Sequence, residues 1–525
     1  MTVRVCIPTA GTGSRLGPLT SFINKSLVAV DNRPTIAHII ELYPDDTEFV
    51  IALGHKGDLV REFLGLAYPD RTFYFAEVSL FEGPGSGLGL TLLACKPYLQ
   101  QPFIFHSCDT LTSTVVATLT ENWMAYSDAD ELVSYRTVTI DNSCVVSISE
   151  KDPFASPLGN PYIGIAGIHN FCEFWHAMES GGIQAIEQGE CYGLRALLPR
   201  KITAHYFTWY DTGNLEKLER ARNHFQTEGG PTILHKANEA IWFVGDRVIK
   251  FSDDPAFISN RVARASTLGR FVPQITGQSM HMYAYDKVDG VVLSECATPS
   301  VFGALLTQCE DFWSINELSL AQTVLFQTSC RKFYQDKTLE RVDLFYRSFS
   351  KLDNSETING EAMPTLRTLL GAVDWQWLSQ GLPGRFHGDF HFENILWCKT
   401  EARFAFLDWR QDFGGDLHQG DIYYDFAKLL HGLIVNHGIV ANEQFSIEWT
   451  DQAIHFDFHR KQSLVDCEQM FYQWLQDKRF DIRRTKLLTS IIYLNIAALH
   501  HNPYSLFLYA LGKQMLSKCL VDPCK

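Results

Sequence analysis

The chain has 525 residues, 46% apolar and 20% charged, a balance that excludes a disordered or fibrous protein and a length that predicts roughly two to four domains. Its 45 Lys and Arg against 60 Asp and Glu give a net charge of −15 with His neutral, which removes any general attraction to nucleic acid or anionic lipid and leaves phosphate affinity to local sites. Thirteen scattered cysteines without a CxxC pair, no signal-peptide core in MTVRVCIPTAG and no run of 18 apolar residues predict a cytoplasmic protein that does not insert in a membrane.

Val3 to Pro8 is a short apolar run ending in a Gly-rich turn, the pattern of a buried parallel strand that feeds a phosphate loop. Further strands are predicted over Glu48–Leu53, Thr72–Glu77 and Phe103–Ser107, with amphipathic helices over Thr35–Leu42 and Lys56–Leu66. This alternation predicts a doubly wound α/β domain. After Leu215 a charged helix is stopped by Gly229-Gly230-Pro231, which places the first domain at 1–228 and the second at 231–525. Beyond that linker the pattern changes. Thr232–Leu234, Ile241–Val244 and Arg247–Phe251 predict antiparallel strands with Gly245-Asp246 as a hairpin turn, then a helix from Pro255 to about Leu268 and a strand over Met280–Lys287. From about Pro299 to Gln380 the chain reads as mainly helical, and after the second motif region the rest to Lys525 reads as helical and rich in aromatics.

The first chemistry-bearing string is GTGSRLGPLT, Gly11 to Thr20, followed by Lys25. Gly11 and Gly13 let backbone N–H groups approach phosphate oxygens, and Arg15 adds a cation able to clamp a triphosphate. A Gly-rich turn alone is as often an ordinary tight turn. The extended string resembles the opening of the sugar-phosphate nucleotidyltransferase family, and the resemblance runs for about 220 residues. It implies a Rossmann-like fold with Gly87 in a loop against the base and ribose, Asp109 and Asp211 as ligands of Mg²⁺, Glu150 and Gly167 at the substrate, and Lys25 and Lys151 offsetting charge on the acceptor phosphate. Asp109 alone reads equally well as a strand-end cap, and Glu150-Lys151 alone as a solvated pair. The order of these residues after a matched loop favours function. Asn24 stands where the family has Pro, and the base-side loop lacks the Gln of several relatives; a pyrimidine triphosphate is slightly favoured.

The second string is HGDFHFENIL, His387 to Leu396, followed by LDWR, Leu407 to Arg410. A kinase needs a carboxylate to orient and deprotonate the attacking hydroxyl, and an Asn and an Asp to hold Mg²⁺ on ATP. Asp389, Asn394 and Asp408 suit those three roles. The string resembles the aminoglycoside phosphotransferase and choline kinase family, which implies an α+β, protein-kinase-like second domain with Lys250 on the α- and β-phosphates. HKANE, His235 to Glu239, stands where a Gly-rich loop would cover the phosphates, and no Glu follows in Asp254 to Arg270 to pair with Lys250. Asp425 reads as structural, and neither His387 nor His391 as an acid–base group.

Taken together, the two strings predict a bifunctional enzyme. One half would phosphorylate a hydroxyl on a sugar, alditol or amino alcohol, and the other would couple the ester to an NMP for surface polysaccharide synthesis. The alternative is a nucleotidyltransferase with a non-catalytic kinase-like module.

Overall fold

The structure, a computed structural model, describes residues 3–129, 132–151, 159–226, 238–450 and 453–521. Contacts divide the chain into two compact units, Met1–Ile258 with Thr276–Asp286, and Ser259–Ile275 with Lys287–Lys525.

The first unit is built on a nine-stranded sheet. Its strands are β1 (Arg4–Pro8), β2 (Glu48–Leu53), β3 (Phe73–Glu77), β4 (Phe103–His106), β5 (Trp123–Tyr126), β6 (Thr137–Asp141), β7 (Cys144–Ser149), β8 (Asn160–Ile168) and β9 (Thr203–Tyr206). Their spatial order is 3-2-1-4-8-5-9-7-6. β1, β2, β3 and β4 are parallel, and β8 runs antiparallel to β4. The central strands are near-continuous apolar runs because helices cover both faces, so no side can be polar. VCIP on β1 and FVIAL on β2 are buried throughout. The chain leaves β1 in one direction to build β2 and β3, then returns to the other side of β1 as β4. That reversal opens a crevice at the carboxyl ends of β1 and β4, where ligands of open α/β sheets bind.

A second sheet in the same unit comprises β10 (Glu239–Val244), β11 (Arg247–Ser252), β12 (Ile275–Gln278) and β13 (Met282–Asp286), in the order 10-11-13-12. The Gly245-Asp246 hairpin is present, with Val244 opposite Arg247. Trp242 is buried edge-on against Phe63, ring centroids 5.3 Å apart, and Glu62 accepts hydrogen bonds from Ser279 Oγ at 2.7 Å and His281 N at 2.9 Å. These strands were expected in the second domain, yet they pack on helix Gly57–Ala67 of the first unit. The expected linker Gly229-Gly230-Pro231, strand Thr232–Leu234 and most of HKANE fall outside the described residues.

The second unit is largely helical, as the sequence suggested, with one correction. Phe445–Trp449 and Ala453–Phe458 are strands, joined in a four-stranded sheet to Glu356–Ile358 and Glu361–Met363. Their alternation of half-buried and exposed side chains is a period-2 signal, hidden at sequence level among flanking helices. Beneath the second motif, Phe312, Phe390 and Phe406 stack around one another with centroids 4.8 to 5.9 Å apart. Among the described residues no helix is long and apolar enough to cross a membrane, and the cysteines are all free thiols.

Candidate active sites

In the first unit, β1 runs into a turn in which Gly13 takes φ +67°. A Cβ on Gly13 would meet Lys25 Cβ at 2.7 Å, so the residue is held to glycine by both backbone and space. A Cβ on Gly11 would meet nothing within 4 Å; its lack of one matters only to an incoming ligand. The turn lines a cavity of about 250 Å³ with Arg15, Lys25, Phe81, Cys108, Asp109 and Gly213.

The two predicted carboxylates converge there. Asp109 follows β4, and Asp211 lies in a two-stranded ribbon in which it pairs with Thr110. Thr212 N donates to Asp109 O at 2.9 Å, locking the two segments together. A Cβ built on Gly213 would lie 3.0 Å from Asp211 Oδ1 and 3.6 Å from Asp109 Oδ2, so these oxygens are within about 6.6 Å of each other. Asp109 Oδ1 accepts from Ser107 Oγ at 2.6 Å, while Oδ2 lies 3.5 Å from Lys25 Nζ. Burial opposes the charge on Asp109, but Lys25, Ser107 and Arg15 outweigh it and hold the carboxyl down at about 2. The same pair acts on Lys25, where burial is outweighed by Asp109 and the ammonium is held well above its usual range.

Lys151 feels this site too. Burial and the like charges Arg136 and Arg15 lower its pKa, offset in part by Asp109 and Asp211. Glu150 does not stand free for substrate: it accepts from Arg136 at 2.8 Å and Arg195 at 2.5 Å. Gly87 and Gly167 are explained by packing. A Cβ on Gly87 would sit 2.5 Å from Ile186 O, and one on Gly167 would sit 2.2 Å from the Trp123 indole nitrogen. Neither lines the cavity.

Sequence reasoning missed Lys217 and Tyr135. Lys217 Nζ lies 2.8 Å from Asp211 Oδ2, and Tyr135 OH donates to the same oxygen at 2.9 Å. Lys217 sits in helix Leu215–Phe225, which reads only as a charged linker helix. Its place three residues into that helix, just after Asp211-Thr212-Gly213-Asn214, is the one available signal.

In the second unit, Asp389 and Asn394 share one tight loop. Asn394 Nδ2 donates to Asp389 O at 2.9 Å and lies 3.4 Å from Asp389 Oδ2. Asp408 stands beside them, because Leu407 N donates to Asn394 O at 2.7 Å and carries the neighbouring strand end to the loop. Asp408 takes φ +56° and pairs with Arg261 at 3.1 Å. His387 is buried and neutral. Burial lowers its pKa to about 3, Nε2 lies 2.8 Å from Leu407 O, and Nδ1 accepts from Asp389 N at 3.2 Å. Asp425 is the loop's anchor: its two oxygens accept from His387 N at 2.6 Å and Gly388 N at 2.7 Å.

Lys428 is the group that motif reading overlooked. Its Nζ lies 2.9 Å from Asp389 Oδ1, and it sits three residues after Asp425 on helix Ile422–Ile434, so both reach the same loop. Burial opposes the charge on Asp389, but Lys428 and His391 hold it well below the usual carboxylate range. Lys250 lies in the first unit, on β11 opposite Tyr283, with Nζ 6.0 Å from the Tyr285 ring centroid.

Mg²⁺ was expected at both sites, and the donors suit it. Each site offers hard oxygens, two carboxylates in the first and an amide plus a carboxylate in the second, and Mg²⁺ takes one or two such ligands beside substrate phosphates. Asn394 spends its Nδ2 on Asp389, which directs its Oδ1 elsewhere. Among the described residues no cluster of three His, Cys, Asp or Glu side chains could hold a metal alone.

The second unit thus sets a carboxylate, an amide and a second carboxylate on one loop and the adjoining strand end. Residues 332–466 match the model of the phosphotransferase enzyme family. The first unit is similar to several solved structures. A UDP-glucose pyrophosphorylase complexed with UDP-glucose is 18% identical, covering 43% of this chain and 98% of that one with a TM-score of 0.37. A putative glucose-1-phosphate thymidylyltransferase from Bacillus anthracis is 18% identical, covering 45% and 98%, with a TM-score of 0.37. The CTP:phosphocholine cytidylyltransferase from Streptococcus pneumoniae is 15% identical, covering 43% and 100%, with a TM-score of 0.35. No curated protein matches the chain.

Proposed function

We propose that the chain is a bifunctional transferase. The second unit phosphorylates a hydroxyl of a small metabolite with ATP, and the first couples the resulting phosphate ester to a nucleotide with loss of pyrophosphate. The observation that carries this reading is the pair of separate oxyanion sites, each with ligand-type oxygens next to a cation: Asp109 and Asp211 with Lys25 and Arg15, and Asp389, Asn394 and Asp408 with Lys428.

In the kinase step Asp389 orients the acceptor hydroxyl. Its oxygen bonds to the γ-phosphorus as the bond to the β-bridging oxygen breaks, ADP leaves, and the hydroxyl proton passes to Asp389. Because Lys428 and His391 keep Asp389 ionised, it takes that proton only as the new bond forms. In the second step an oxygen of the phosphate ester attacks the α-phosphorus of an NTP. Arg15 and the loop amides hold the departing pyrophosphate, and Lys25 and Lys151 offset the acceptor's charge. Mg²⁺, when bound by Asp109 with Asp211 and by Asn394 with Asp408, supplies charge neutralisation at the phosphates. Joining both activities in one polypeptide raises the local concentration of the shared ester. A pyrimidine triphosphate as donor and a nucleotide-activated precursor for surface polysaccharide as product complete the reading.

The test is a coupled screen. The full chain is given ATP, each NTP in turn and unphosphorylated metabolites, and ADP and pyrophosphate are followed separately. Asp389→Asn should abolish ADP formation but still release pyrophosphate from the pre-formed ester, and Asp109→Asn should do the reverse. Full ADP formation by Asp389→Asn with the true acceptor would sink the kinase role.

A further inference from the structure

Beside Asp389 the second unit gathers cations that its own carboxylates do not neutralise. The helix Leu320–Arg331 passes through one π-helical turn, Lys332–Asp336, into the helix Lys337–Phe349. Such turns recur at functional sites because the extra residue re-aims the side chains that follow. Here the turn presents Phe333, whose ring packs edge-on against Tyr424 of helix Ile422–Ile434 at 4.9 Å. Lys337 Nζ lies 4.3 Å from the Phe333 centroid and the Arg410 guanidinium carbon 4.6 Å from it, so the two cations share one ring. Arg410 is next to the catalytic loop: its N donates to His387 O at 2.9 Å, and a Cβ on Gly388 would touch its Cβ at 2.6 Å.

Two features say that a ligand completes this cluster. Among the described residues the charged heads of Lys337, Arg341 and Arg410 make no hydrogen bond or ion pair, and Arg410 Nε is buried without a partner. Desolvated cations left without a counter-charge destabilise a fold unless an anion joins them. The burden is visible at Lys337, where burial, then Arg410, Lys428 and Arg341, with only partial relief from Asp389, lower the pKa to about 7. The cluster also surrounds Lys428, the cation that pairs with the catalytic carboxylate: Lys337 and Lys428 repel one another, and so do Arg410 and Lys428. Asp389 Oδ2 faces Asn394 and His391, at 3.4 and 3.5 Å, whereas Oδ1 faces Lys428. The γ-phosphoryl group comes with the metal-binding Asn394 and Asp408, so Lys428 on the other oxygen, and the cations grouped around it, are left for the molecule that is to be phosphorylated.

We propose that the acceptor of the phosphotransferase domain is a hydroxylated anion, its carboxylate or phosphate-ester group seated against Lys337, Arg341 and Arg410 while its hydroxyl meets Asp389. This rests on the kinase reading of Asp389 and narrows it, setting aside amino alcohols and neutral alditols as substrates.

The experiment is calorimetric binding to the full chain saturated with Mg²⁺ and a non-hydrolysable ATP analogue. Four probes are compared: gluconate and glycerol 3-phosphate as the two oxyanion sources, sorbitol as the neutral control, and choline as the cationic one. At least one anionic probe should bind ten-fold or more tighter than both controls. Lys337→Met and Arg410→Met should each weaken it ten-fold or more, while affinity for the ATP analogue stays within two-fold. An anion beside Lys337 raises its pKa, so wild-type binding at pH 8 should take up a proton, read from buffers of different ionisation enthalpy, and Lys337→Met should not. Equal or tighter binding of sorbitol or choline, no binding of either anion, or unchanged anion affinity in both variants would overturn the proposal. Failure of the kinase reading is seen elsewhere, in ADP formation by Asp389→Asn, and leaves these binding results unaffected.

Discussion

Asn24 is wholly buried, and its side chain does the work that a rigid turn residue would otherwise do. Its Nδ2 donates to Thr9 O at 2.9 Å and His55 O at 2.6 Å, and its Oδ1 accepts from Ser26 N at 2.9 Å. Lys25 is thereby tied to the end of β1, facing Asp109. Asn24→Ala removes the donor from the buried Thr9 carbonyl and the half-buried His55 carbonyl and should lower unfolding free energy by about 2 kcal/mol. Urea denaturation checks this, and pyrophosphate release should fall with it because Lys25 loses its footing. At this scale the sequence was informative about which residues come together: Asp109 and Asp211 could be paired by their succession after a matched loop, and Asp389, Asn394 and Asp408 by spacing. Lys217 and Lys428 could not, because a lysine on a helix surface carries no mark of what it faces until the helix is placed.

At the level of elements, glycine records contacts between backbones. A Cβ on Gly89 would lie 2.0 Å from Ala185 O, so helix Leu88–Cys95 meets helix Gly182–Gln188 only through a bare backbone. Gly89→Ala should cost about 2 kcal/mol or more as the two helices are forced apart, measurable by urea denaturation, with Gly65→Ala, which meets nothing within 4 Å, as the silent control. The strands β1, β2, β3 and β4 were legible because central parallel strands are continuous apolar runs with turn residues at their ends. Phe445–Trp449 and Ala453–Phe458 were not, since a short alternating segment declares itself only when a partner strand satisfies its backbone. The same limit hid the π-turn, which no local propensity announces.

On the scale of the whole molecule, buried neutral histidines set a common response to acid. Burial lowers His38 and His106 to about 4 and His387 to about 3. In the unfolded chain each takes a proton near pH 6.5. Between pH 6.5 and about 4 the unfolded state therefore binds more protons than the folded one, and stability falls as pH falls through that window. Thermal unfolding measured from pH 7.5 to 5 should show this slope, and His106→Gln should make it shallower; an unchanged slope in the variant would contradict the reading. The partition into two units makes a second demand. Trp242 follows the predicted linker in sequence but packs on Phe63, so Trp242→Ala should destabilise the first unit by about 3 kcal/mol or more, seen as a fall in the unfolding midpoint of pyrophosphate-releasing activity.

By itself the sequence determined which chemistry-bearing residues are present and the order in which they come: a glycine turn after an apolar strand, carboxylates at strand ends, and a loop in which Asp389 and Asn394 stand at fixed spacing. Those are local patterns, governed by backbone geometry and the chemistry of single side chains. Tertiary structure alone decided which charges meet, because Asp109 and Asp211 are brought together by a ribbon between segments about 100 residues apart, and Lys337 is brought to Asp389 by a π-turn. Electrostatic partnership depends on distance in space and on exclusion of water, and neither is written along a chain.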